Sequence, residues 1–233
     1  MKKIAFFNWK GGVANTTLAM HSCIYAAERG LQVAGATLGG LHDLRPSLFR
    51  GGVAWHDALE DLPTVGDLLV LDVSSQAESL DVLRPDLWIM PMCNRTAYEN
   101  AARSVPTLVG PVLWVWSLGF AWQDDVPVHL RDRVSMSPVI IPKSRAVIEN
   151  TEADLAAWGT RVGARSPGAR AIQQFTEDIL GRVGLASMLT QARELPRFAG
   201  PMPSLGGGRD LRARMTAARP RLQAYFAGPP SAA

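Results

Sequence analysis

The sequence predicts an α/β protein, a mostly parallel twisted sheet with helices on both faces, and three observations carry that prediction. The chain opens on a strand, a glycine-rich loop, a helix and a second strand, the repeating block of such sheets. Its later apolar runs, at 67–72, 87–92 and 112–116, are short and lack polar alternation, as strands covered on both faces do. Helical patterns fall between and after these runs. With 233 residues the chain can bury one substantial core, and 47% hydrophobic with 19% charged residues is an ordinary globular composition.

Taken in order, residues 3–9 are apolar and aromatic after Lys3 and suit a buried strand. Leu18, Met20, Cys23, Ile24 and Ala27 recur at helical spacing, and Gly30 supplies the stop. A short second strand is expected over 31–36. Gly39, Gly40, Gly51 and Gly52 bracket a stretch expected to be mobile, followed by a short helix over 56–62. Asp67 to Asp72 sets four apolar residues between acids, and 87–92 is a further buried strand. Thr96-Ala97-Tyr98-Glu99 reads as a capping box, so a helix should begin at Ala97 and stop at Pro106. A strand at 112–116 follows. Thr151 to Asp154 should cap a short helix ending at Gly159. Ser166 and Pro167 pair an N-cap with a proline at the first helical position. Ile172, Phe175, Ile179, Leu180 and Val183 then share one face up to Gly184.

Several function classes find no support. No apolar run approaches the roughly 18 to 20 residues that span a bilayer, and two lysines followed by four apolar residues do not make a signal peptide. Cys23 and Cys93 lie in apolar surroundings and read as buried thiols of a reducing cytoplasm. His21, His42, His56 and His129 have no ligand spacing, and no Ser/His/Asp set emerges.

The informative stretch is Lys10-Gly11-Gly12-Val13-Ala14-Asn15-Thr16-Thr17, between the first strand and the first helix. A strand that ends in a glycine-rich turn and opens a helix points backbone N–H groups at one spot, with the positive end of the helix dipole behind them. That is how a chain holds phosphate. Against the phosphate-loop pattern G-x-x-x-x-G-K-[ST], Gly11 and Gly12 supply loop glycine and Thr16 the magnesium-binding hydroxyl. Ala14 stands where the last glycine belongs and Asn15 where the lysine belongs. Asp72, closing its apolar strand, is placed to hold magnesium through water.

These eight residues resemble K-G-G-V-G-K-T-T, the deviant Walker A signature of the ParA/MinD family of dimeric ATPases, and the resemblance extends over roughly residues 2–184. It implies the P-loop fold of the SIMIBI type, ATP or ADP with magnesium as cofactor, and a homodimer in which the extra lysine, here Lys10, reaches the partner's nucleotide. The family's Asp-x-Asp segment after the second strand corresponds to Thr37-Leu38-Gly39 here; Asp43, the nearest acid, lies four to six residues out of register. Val73-Ser74-Ser75 replaces the family's Thr-Pro-Pro, Asp86 and Pro91 match its A-D-x-x-x-x-P segment, and Ser117 stands near its adenine-reading asparagine. Residues 139–144 resemble the I-P-R-S strand and base-flanking loop, with Pro142 and Lys143 at the matching positions.

Loss of a phosphate-loop lysine removes charge-assisted hydrogen bonds of about 1.5 to 3 kcal/mol, a roughly 10- to 150-fold weaker grip on nucleotide. Together with the missing aspartates, this makes hydrolysis weak or absent. Lys10 is either a solvated remnant or an anion and partner contact, and Trp9 either a core residue at a strand end or a stacking surface.

Residues 1–195 read as one domain and 196–233 as a basic, Pro/Gly-rich tail with a helix at 209–226 kinked or broken at Pro220. The tail holds six arginines against one acid, so it carries +5 and the rest of the chain −2. Such a tail is either a solvated helix face or a surface for nucleic acid phosphates. The resemblance implies nonspecific DNA binding near the C-terminal helices, where Arg161, Arg165, Arg170 and Arg182 lie, with Arg212 and Arg219 in the tail. Two functions follow: a cytoplasmic, nucleoid-associated partition or positioning protein working with a ParB-like or cargo adaptor protein, or a non-hydrolysing relative serving as an interaction or regulatory module.

Overall fold

Apolar runs without alternation need cover on both faces, and in the computed structural model, which describes residues 1–39, 53–56, 64–74, 80–119, 126–152 and 155–190, they obtain it. The strands are β1 (Lys2–Phe7), β2 (Val33–Leu38), β3 (Ala54–His56), β4 (Leu68–Val73), β5 (Leu87–Met92), β6 (Val112–Trp116) and β7 (Val134–Met136). They form one sheet in the order β3-β2-β4-β1-β5-β6-β7, and every pairing is parallel. Alternate residues divide between two cores. Ile4, Phe6, Val70 and Ile89 enter one, while Ala5, Phe7, Leu71 and Met90 enter the other.

The helices are α1 (Asn15–Glu28), α2 (Arg95–Ser104), α3 (Arg145–Glu152), α4 (Arg161–Arg165) and α5 (Pro167–Arg182). Both α1 and α5 contribute to the first core and α2 to the second, which places helices on both sides of the sheet. Leu18 to Ala27 are all buried, so α1 is an interior helix rather than an amphipathic one. Phe175 of α5 meets Phe6 edge-on at 6.5 Å. Asp86 pins the entry of β5: its carboxylate accepts from the Lys3 N–H at 2.8 Å and from Lys2 Nζ at 3.0 Å.

Several expectations need correction. Strand β2 starts at Val33, because Leu31 N–H still bonds the Ala26 carbonyl at the exit of α1 and Gln32 N–H bonds Asp67 Oδ2. His56 closes β3 instead of opening a helix; 57–62 lie outside the described residues, as do Gly40, Asp43, Gly51 and Gly52. The cap of α2 is Asn94, whose side chain accepts from Ala97 N–H at 2.9 Å, and Glu99 pairs with Arg95 instead. Pro106 stands in the 3-10 turn that follows, ending α2 as expected.

Further along, β7 has no counterpart among the expected strands, since three residues with Ser135 exposed leave no apolar signal. Residues 139–144 are not a strand, although Ile141 N–H bonds the Trp116 carbonyl at 2.8 Å. Thr151 donates to Val147 O from within α3, and the cap downstream is Thr160. Trp9 is 44% exposed, because β1 ends at Phe7 and the indole lies edge-on to the Phe7 ring. Cys93 is half-buried and Cys23 buried, both as free thiols. The Ser166 cap, Pro167 and the stop at Gly184, with φ +80°, hold as read. Residues 191–233, including the expected tail helix, fall outside the described residues.

Burial of His21 in α1 gives the fold a pH dependence. Desolvation pushes the imidazole down to about 4, and its Nδ1 lies 2.7 Å from the Thr17 carbonyl, the contact of a neutral ring donating from that nitrogen. Between the ordinary 6.5 and about 4 the unfolded chain binds this proton and the folded chain does not. The contribution is therefore complete above pH 6.5 and declines on acidification by about 1.4 kcal/mol per unit. Urea midpoints measured from pH 7 to 4.5 should fall accordingly, and His21→Leu should remove that component of the slope.

Candidate functional site

Parallel strands deliver their following loops to one edge, and here the loops after β1, β4 and β6 meet at the carboxyl ends of the strands. They enclose a cleft of about 330 Å³ lined by Asn8, Lys10 to Thr17, Asp72, Val73, Ser74 and Leu118. Every position from 10 to 17 that the sequence assigns to phosphate binding is thus brought into one wall.

The loop is held from behind. Asn8 is 2% exposed; its Nδ2 donates to the Pro91 carbonyl at 2.9 Å and the Ala97 carbonyl at 3.2 Å, while its Oδ1 accepts from Lys10 N–H at 2.9 Å. The side chain thereby closes a turn over two residues and ties it to β5 and α2. Ser117, fully buried, donates from Oγ to the Val13 carbonyl at 2.8 Å. Sequence reasoning missed Asn8 and read Ser117 against adenine recognition. A short amide just before a glycine-rich turn was the available signal for Asn8.

Backbone conformation within the loop is demanding. Gly12 has φ +75°, and a Cβ there would meet open space, so torsion alone requires glycine. Ala14 has φ +76°, a left-handed conformation that costs a residue with a Cβ about 1 to 2 kcal/mol. Leu118, across the cleft, has φ +58°. These two are the non-glycine residues with positive φ among the described residues, and both line the cleft.

Ala14 is also the N-cap of α1 and provides no side-chain cap. By helix geometry the first-turn N–H groups, at Asn15, Thr16 and Thr17, have no intrahelical acceptor. The first turn carries no acid, so the positive end of the helix stands over the cleft. Thr16 Oγ1 donates to Asp72 Oδ2 at 2.8 Å, which joins the two proposed magnesium-binding residues although 56 positions separate them. Asp72 is 3% exposed. Cys23, beneath it, has its thiol pushed well up by burial and by the Asp72 carboxylate, and is therefore inert.

Asn15 Oδ1 is buried without a hydrogen-bond partner, and Lys10 Nζ donates to its own loop's Gly11 carbonyl at 3.0 Å. Unpaired helix donors and a hydroxyl–carboxylate pair fit a phosphate group with a divalent cation: Gly11 to Thr17 would hold the phosphate, and Thr16 and Asp72 the metal, whereas the orphaned Asn15 oxygen, an acceptor, offers a phosphate nothing.

Other predicted positions lie apart from the cleft. Thr37, the penultimate residue of β2, stands beside Asp72 in register, but its hydroxyl accepts from Trp55 Nε1 at 3.1 Å. The Trp55 ring lies so close across β2 that a Cβ on Gly35 would sit 2.1 Å from it. Pro142 and Lys143 pack on Gly119 without lining the cleft. Arg161, Arg165 and Arg170 are exposed on α4 and the start of α5. Arg182 lies twelve residues further along α5, bonded at 3.0 Å to Asp178 and to Ser135 Oγ. Ser75, Arg212 and Arg219 lie outside the described residues. Among the described residues no helix is long and apolar enough to cross a membrane.

No family model matches the sequence, and no curated protein matches it either. Solved structures do match. MinD, the septum site-determining protein of Pyrococcus horikoshii, solved with Mg-ADP, superposes with a TM-score of 0.56 at 15% identity, over 79% of this chain and 98% of that one. MinD of Aquifex aeolicus gives 0.57 at 15% identity, over 78% and 98%. McdA of Cyanothece gives 0.53 at 11% identity, over 78% and 100%. At such identities the likeness speaks for the fold alone: with its parallel seven-stranded order, this chain has the fold of these MinD and McdA structures.

Proposed function

We propose that the chain is a ParA-like partition or positioning protein that binds ATP or ADP with magnesium at the loop of residues 10–17 and hydrolyses it weakly or not at all. The observation that carries this reading is the coexistence of an intact cradle with a neutral centre: Thr16 and Asp72 are joined at 2.8 Å and Ala14 keeps the left-handed turn, yet position 15 is asparagine. A bound magnesium ion would supply charge neutralisation to the phosphates. Binding and orientation fall to the loop N–H groups, Thr16 and Lys10. Thr37, committed to Trp55, leaves the position of the family's first switch carboxylate without an acid, which favours the second reading, a non-hydrolysing interaction or regulatory module. A homodimer, nonspecific DNA and a ParB-like or cargo adaptor protein are the partners this proposal implies, in a nucleoid-associated cytoplasmic setting.

Calorimetric titration with the magnesium complex of a non-hydrolysable ATP analogue tests the nucleotide reading. Weak binding is expected, and Asn15→Lys should tighten it by roughly 10- to 150-fold; no heat at millimolar nucleotide rejects the reading. Ala14→Gly should relieve the left-handed strain and stabilise the fold by about 1 kcal/mol, read from the urea midpoint. Binding to random-sequence duplex DNA should fall steeply between 50 and 200 mM salt, by about tenfold or more, and weaken when residues after 208 are removed. Indifference to both salt and truncation rejects the DNA assignment.

A further inference from the structure

The edge of the sheet opposite the cleft carries a second concavity. A groove of about 440 Å³ lies where the chain enters β6 and β7, lined by Leu108, Val109, Gly110, Pro111, Asp132 and Arg133. Leu108 is buried in it, while Val109 and Pro111 are exposed. Its shape is fixed by buried bonds: Trp88 Nε1 donates to the Val109 carbonyl at 3.0 Å, and Arg133 Nη2 donates to the Leu108 carbonyl and, at 3.4 Å, to that of Gly110. Arg133 has no carboxylate partner among the described residues, and Asp132 makes neither an ion pair nor a hydrogen bond there. The groove thus offers apolar surface, one unpaired acid and one base.

The described chain ends at this same edge. Thr190 donates from its N–H and its Oγ1 to the Arg29 carbonyl at 2.8 and 2.9 Å, between the end of α1 and the start of β2. From β2 to β6 is four strand steps, a span of about 19 Å. Asp210 stands twenty positions beyond Thr190, within a reach of up to about 66 Å, so the tail is presented to the groove at high effective concentration. Asp210 is the one acid from Pro196 onward, in the run Arg209-Asp210-Leu211-Arg212. In the helix expected over 209–226, Asp210 and Arg212 flank Leu211 at about 100° on either side, and Met215 follows Leu211 one turn on. An apolar residue between an acid and a base complements an apolar groove that holds a base and an acid.

We propose that this groove seats the chain's own tail: Leu211 packs on Leu108, Val109 and Pro111, with Asp210 against Arg133 and Arg212 against Asp132. Apolar contact supplies most of the hold, since exposed ion pairs contribute little, and the two charge pairs set the orientation. Docked there, the tail is kept at the edge of the sheet away from the nucleotide cleft.

Hydrogen exchange of the full chain, compared with the chain ended after residue 208, reads the occupancy. Amides of 108–111 and 131–133 should exchange about fivefold or more slowly in the full chain. Asp132→Arg, at an exposed side chain, and Arg212→Asp, in the tail, should each return them to the truncated rate, and the two changes together should restore the protection; thermal melts establish that the variants fold. Val109→Cys with Leu211→Cys, in a Cys93→Ser background, should oxidise to a disulfide within one chain. Equal exchange with and without the tail, or no recovery in the double reversal, overturns the proposal. A disulfide that joins two chains assigns the groove to a second copy's tail and overturns docking within one chain. Protection that persists in the truncated chain and grows with protein concentration makes the groove a contact between copies and overturns it as well.

Discussion

The site depends on one buried amide. Asn8 sits where β1 ends, and its carboxamide satisfies two carbonyls from other elements while capturing the N–H that starts the loop. Removing the carboxamide would lose three hydrogen bonds, each worth about 0.5 to 1.5 kcal/mol. The bonds therefore fix the direction in which the chain leaves the sheet, and with it the positions of Lys10, Gly11 and Gly12. Ser117, just after β6, performs the same service for Val13. The cradle is shaped by side chains whose polar atoms are spent on the chain's own carbonyls and N–H.

Rigidity in the next element completes the cradle. Ten consecutive residues of α1 are buried, so the helix is clamped by the sheet beneath and by α5 and the Trp158 region above. Trp158 meets His21 and Tyr25 edge-on, and its Nε1 donates to Glu28 at 2.8 Å. A helix held along its whole length presents its first-turn N–H groups in a fixed direction, and it can oppose the local strain at Ala14. The left-handed residue costs about 1 to 2 kcal/mol, which the packing of so large an apolar surface on α1 offsets.

How much of this was legible in the sequence follows from which interactions are local. The loop, α1, β4 and the Ser166-Pro167 start of α5 carry their own signals: glycine torsion, helical spacing, an apolar run ended by acid, a cap followed by proline. The pairing of Thr16 with Asp72 was legible only as two motif positions, since sheet order brings them together. What escaped is what tertiary contacts decide. Strand β7 is three residues at an edge, with too little burial to leave a pattern. Asn94 and Thr96 are both competent caps, and the backbone arriving from β5 selects the first. Thr151 sits where it bonds back to Val147, a use of threonine that sequence alone does not separate from capping. Ser117 lies at a position that suggests ligand recognition, but its hydroxyl is turned inward to Val13.

The same division explains how the loop keeps its shape with altered chemistry. Residues that set the geometry, Asn8, Gly12, Ser117 and Asp72, are tied to torsion or to buried partners, so changing them costs folding free energy directly. Residues that would set the chemistry differ. The orphaned oxygen of Asn15 and the exposed side chain of Lys10 touch little of the core, and Thr37 has been drawn into it by Trp55. An aspartate at 37 would set a second carboxylate beside the buried Asp72, its register partner, where two like charges raise the cost of ionising either. The neutral threonine, bonded to Trp55, avoids that repulsion. The cleft is left with one lysine and one aspartate, the latter already paired with Thr16.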